Sequence, residues 1–160
     1  MKEKLQHPVY GEIVYSENIW TGRKILTVDG QSQKVTKKEF SIAGKNALVK
    51  GNFLSGVTLL IENETIVLSP KPKWYETVLA LLPFILLLTW GNSQALCTIF
   101  PVVGGAIGGA LGGVAMVYSS LYIKKAQSIL TKVLIGLGFI VAAFLVAHIL
   151  ALVLILLMIL

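Results

Sequence analysis

His148 is the one ionisable side chain in the run from Val133 to Leu160, which is otherwise free of charge. An ionisable group inside a span points by default to an ion or proton path, and imidazole is the side chain that titrates closest to neutral pH. Counting from Val133 at the helical rise puts it ~22 Å deep, level with Gly108 or Gly109 of an antiparallel preceding span, where no side chain blocks the ring. Asn92 and Thr89 are the polar groups of the first span that can join His148 in such a site. The alternative is a neutral ring bonded to one of them or to a backbone carbonyl. Other chemistry is thinly supplied. The two histidines, His7 and His148, fall in different halves, Cys97 is the only cysteine, and Glu76 is the only carboxylate near the apolar half. Neither a nucleophile with its base nor a set of metal ligands is expected, and the chain reads as a non-enzyme without cofactor or metal.

The second group with a functional pattern is PVVGGAIGGALGGVAMVY, residues 101 to 118. At 100° per residue Gly104, Gly108 and Gly112 form one ridge, and Gly105, Gly109 and Gly113 form a second beside it. Val103, Ile107, Leu111 and Val114 fall on the opposite face. Each glycine costs about 1 kcal/mol relative to alanine in a helix in water. In lipid, where helices associate through close van der Waals contact, rows of small residues allow backbones to approach. The ridges therefore predict either a tight bundle within one chain or self-association, up to a ring of subunits around a pore.

The elements that carry these residues follow from charge. Fourteen Lys and Arg face eight Asp and Glu, a net +6, and only 14% of residues are charged. Residues 77 to 160 hold just Lys124, Lys125 and Lys132, so the first half faces water and the second lies in a membrane. Spans are predicted at 75–91, 101–123 and 133–158. Pro83 is expected to kink the first and to free a carbonyl that neighbours must satisfy. Lys71, Lys73, Trp74, Tyr75, Trp90, Lys124, Lys125 and Lys132 are expected as interface anchors. The positive-inside rule puts the amino terminus and the 124–132 turn in the cytoplasm and the carboxyl terminus outside a plasma or inner membrane. The start, MKEKLQHPVYGEIVY, lacks the apolar core of a signal peptide, which agrees with that orientation. Residues 1–70 are nearly balanced in charge and have no basic stretch interleaved with aromatics, so no nucleic-acid partner is expected.

Residues 1–70 read as all β. The segments EIVY, KILTVDG, EFSI, ALVKG, GVTLLIE and ETIVLS are short, rich in β-branched residues and separated by turn signals at Asp29-Gly30, Gly44-Lys45, Gly51-Asn52 and Glu62-Asn63. Their spacing suits a small sandwich or open barrel. Residues Trp20 to Gly30, Lys38 to Gly44 and Leu54 to Val57 resemble the Fas apoptotic inhibitory molecule family. The resemblance implies a compact β-sandwich and brings no functional residue with it. The fold class is thus α+β, a cytoplasmic β domain at 1–70 before a three-helix membrane domain at 71–160. The expected partners are the lipid bilayer, further copies or a larger membrane complex, and a cytoplasmic protein bound by the β domain. A channel or transport component and a non-conducting scaffold are the two functions this arrangement serves.

Overall fold

Alternation of apolar and polar residues in GEIVYSE and GVTLLI turns one face of each strand inward, and the buried positions follow it: Ile13, Tyr15 and Glu17 on one, Val57, Leu59 and Ile61 on the other. A computed structural model describes residues 1–35, 40–42 and 44–159. The chain forms two units, Met1–Pro72 and Lys73–Leu160.

The first unit contains two four-stranded antiparallel meanders. One is β1 (Lys2–His7), β2 (Gly11–Glu17), β3 (Lys24–Val28) and β4 (Gln31–Val35) in that order; the other is β5 (Phe40–Ile42), β6 (Lys45–Asn52), β7 (Gly56–Ile61) and β8 (Glu64–Ser69). Both sheets contribute to a single core, with Tyr15, Leu26 and Ile13 from the first meeting Val57, Leu59 and Ile61 from the second. Asp29 (φ 47°) and Gly30 (φ 79°) close the β3–β4 hairpin between paired Val28 and Gln31. Two successive positive φ values match the twist of a two-residue hairpin, which is why Asp-Gly reads as a turn. At Gly51-Asn52 the expected turn falls slightly later: Asn52 pairs with Gly56, and the Asn52 Oδ1 accepts from the Leu54 and Ser55 amides at 2.9 Å.

Each of the six expected segments falls on a strand among the described residues, with Asp29-Gly30 and Glu62 in the turns that follow, and two further strands, β1 and β4, join them. These two are the outer strands of the first sheet, with mostly exposed side chains. An edge strand with few inward positions has little apolar pattern, and its lysines guard the open backbone. Lys38, Glu39 and Ala43, part of the family resemblance, lie outside the described residues.

The second unit has α1 (Trp74–Gly91), α2 (Gln94–Ile99), α3 (Gly105–Lys125) and α4 (Ile129–Ile159). Among the described residues, α1, α3 and α4 are long and apolar enough to cross a membrane. Pro83 sits buried inside α1 and cannot donate to the Leu79 carbonyl. Gly136 of α4 packs over that carbonyl, where an added Cβ would lie 3.6 Å from the oxygen. The second span differs from the expectation: residues 101–104 are not helical, with Gly104 extended, and the helix starts at Gly105. Pro101 disfavours helix for its predecessor Phe100, which is extended at φ −144° and ψ 98°.

Candidate functional site at the break before the glycine helix

The non-helical stretch around Phe100 to Gly104 brings His148, Trp90 and Cys97 together. Irregular backbone at membrane depth must find its hydrogen bonds inside the protein. The Val103 amide donates to the Ala147 carbonyl at 3.3 Å, and His148 Nδ1 lies 2.6 Å from the Pro101 carbonyl oxygen. A carbonyl only accepts, so Nδ1 carries the proton. The imidazole stacks on Phe100 with centroids 4.1 Å apart. Trp90 Nε1 donates to the Phe100 carbonyl at 3.0 Å while its ring meets Phe144 edge-on, and Cys97 Sγ donates to the Trp90 carbonyl at 3.3 Å. Trp90, expected at the interface, is therefore also a donor to the break.

His148 consequently faces Phe100 and Pro101, not Gly108 and Gly109. The depth count matches His148 to Gly108 on two straight antiparallel helices, whereas the non-helical residues Pro101 and Val103 are the ones that lie against α4 at His148 and Ala147. Thr89 and Asn92 stay apart from the imidazole and bond their own helix: Thr89 Oγ1 to the Ile85 carbonyl at 2.9 Å and Asn92 Nδ2 to the Leu88 carbonyl at 2.7 Å.

The two glycine ridges have different surroundings. A Cβ on Gly104 would strike the Gly91 carbonyl, one on Gly108 the Val103 carbonyl, and one on Gly112 would stand 2.9 Å from Phe84 Cα. These three make room for backbone. On the second ridge, a Cβ on Gly105 or Gly113 meets nothing within 4 Å, and one on Gly109 meets only the end of Leu88 at 3.8 Å. Of the four residues expected opposite the glycines, Val103 is buried in the break, Leu111 packs against the core of the bundle, and Ile107 and Val114 are exposed.

At the other end of the bundle Lys132 pairs with Glu76, whose second oxygen accepts from the Lys73 amide at 3.0 Å and so caps α1. Lys132, expected as an anchor, is only 9% exposed, and its ammonium lies 5.9 Å from the Tyr75 ring centroid. Lys71, Lys73, Trp74 and Lys125 are exposed; Lys124 is partly covered. The pairing of Glu76 with Lys132 escaped sequence reading because 56 residues separate them. Both carry charge beside apolar runs, which was the available signal. No group of three or more potential metal ligands occurs among the described residues. No protein-family model matches the chain, and no curated protein or solved structure matches it either.

Proposed function

We propose that this is a multi-pass membrane protein whose helical unit is a non-conducting anchor and whose β unit binds a cytoplasmic protein partner, as an accessory or scaffold subunit. One observation carries the reading: His148, Thr89, Asn92 and Glu76 bond within the chain itself. His148 serves Pro101, Thr89 serves Ile85, Asn92 serves Leu88, and Glu76 is shared between Lys73 and Lys132. Only Ser119 Oγ is buried without a partner among the described residues. A conducting path needs such groups to face water at successive depths. Purified protein in vesicles carrying a proton or potassium gradient is expected to leak no faster than empty vesicles between pH 5 and 8, for the wild type and His148→Gln alike. A flux that His148→Gln alters would replace the anchor with a transport component.

Self-association is a second reading, favoured by Gly105 and Gly113, where an added Cβ would meet nothing within 4 Å. Close helix packing through that ridge offsets the glycine cost in a homo-oligomer or larger complex. An oligomer in mild detergent that Gly113→Leu dissociates supports it; an unaffected size removes the ridge from the interface.

A further inference from the structure

A trough of about 370 Å³ lies between α3 and α4, lined by Tyr122, Ile135, Gly138, Phe139 and Ala142. We infer that it is a binding site for one anionic phospholipid, with an acyl chain in the trough and the phosphate at Lys125. This goes beyond the anchor reading and stands apart from the glycine ridge. Tyr122 is nine residues from Gly113, about 180° round the helix.

The site is built in three parts. Gly138 and Ala142, four apart on α4, withhold side chains and form the floor; a Cβ on Gly138 would meet nothing within 4 Å. Tyr122 and Phe139 form an aromatic wall, their centroids 5.8 Å apart. Lys125, three residues beyond Tyr122 on the same side of α3, is exposed where that helix ends. From Ile135 to Ala142 the trough runs about 10 Å along α4, well within one leaflet of a ~30 Å core. An apolar trough with a cation one helical turn beyond its Tyr122 wall complements a chain bearing a phosphate. The neighbouring α4 side chains Leu134, Leu137 and Val141 are more than half exposed, which places this surface against lipid. Lys125 supplies the charge that separates an anionic headgroup from a zwitterionic one, worth about fivefold in binding for one basic residue near the surface.

The test uses full-length protein reconstituted with equal amounts of phosphatidylglycerol and phosphatidylcholine, re-extracted gently and weighed by native mass spectrometry. Phosphatidylglycerol is expected to be retained about fivefold over phosphatidylcholine, and Lys125→Gln to bring the two to parity. Gly138→Leu fills the trough without a clash and is expected to lower retention of both lipids. Equal retention by the wild type overturns the site, as does either variant retaining lipid like the wild type. If Gly138→Leu instead splits an oligomer, a second copy occupies the trough and the proposal fails. Lys125 is exposed, so Lys125→Gln still decides the matter should Gly138→Leu fail to fold.

Discussion

Tyr15 and Glu17 point the same way from β2 into the core of the β unit, and the Tyr15 hydroxyl donates to the Glu17 carboxylate at 2.9 Å. Burial is the main reason that the phenol is held well above its ordinary range, and the adjacent carboxylate adds to it. A phenol whose folded pKa is raised stabilises the fold fully below its unfolded pKa of about 10, and that stability is lost as pH climbs above it. Tyr15→Phe is expected to cost about 1–3 kcal/mol at neutral pH, because it leaves a buried carboxylate without its donor. The same change is expected to flatten the alkaline loss of stability. Hydrogen exchange of the β2 amides in the full-length protein, compared at neutral pH and above pH 10, measures both effects. Identical alkaline slopes for the two proteins would show that Tyr15 does not govern the response. His148 illustrates the same rule in the membrane half. Its Nδ1 meets one carbonyl and its ring one aromatic face, both at the break that precedes α3.

The paired glycines act as two different surfaces of one element. Gly112 admits the backbone of α1 at Phe84, so Gly112→Leu forces α1 and α3 apart and is expected to destabilise the bundle by about 1–3 kcal/mol or prevent its assembly. Ile107→Leu, on an exposed position of the same helix, is expected to leave it unchanged. Thermal unfolding in detergent distinguishes them, and equal midpoints for the two variants would deny the ridge its packing role. The pairing of glycines four apart was legible in sequence, but which ridge meets which backbone depends on where α3 starts. PVVGG looks like the beginning of a span because it is apolar and uncharged, whereas its bonds to Ala147 and His148, more than forty residues away, hold it outside the helix. The same limit explains α2, capped by Ser93, in a connection whose composition resembles the spans beside it. In the β unit, β8 was readable to its ends from ETIVLS, whereas β1 and β4 were not, since KEKLQH and QSQKV turn few apolar residues inward. Local pattern thus reports the elements that bury a face; polar edges and side chains paired across the chain need the third dimension.

The ends of α1, α3 and α4 set which groups share one end of the helical unit. The Glu76–Lys132 pair joins the start of α1 to the first turn of α4, and α3 ends at Lys124 and Lys125, so these charges lie at one end of the bundle. Breaking a buried pair by removing one partner costs about 3–5 kcal/mol, which makes this end resistant to rearrangement. The concentration of lysine there predicts that it faces the cytoplasm, together with the amino-terminal β unit. Three spans then carry α2 and Cys97 to the opposite side. Ser128 accepts from the Thr131 amide at 3.2 Å and caps α4, so a reporter there removes a contact worth about 1 kcal/mol. The exposed neighbour Gln127 is the better position. In a Cys97→Ala background, Gln127→Cys is expected to react with a membrane-impermeant maleimide only in inverted vesicles or opened cells. Native Cys97 is expected to react only from the outer side, and slowly, because its thiol is half-buried against the Trp90 carbonyl. Labelling of Gln127→Cys in intact cells would reverse the orientation and put the β unit, with any partner it binds, outside the cell. Labelling of both cysteines from the same side would mean that α3, the apolar helix between them, does not cross.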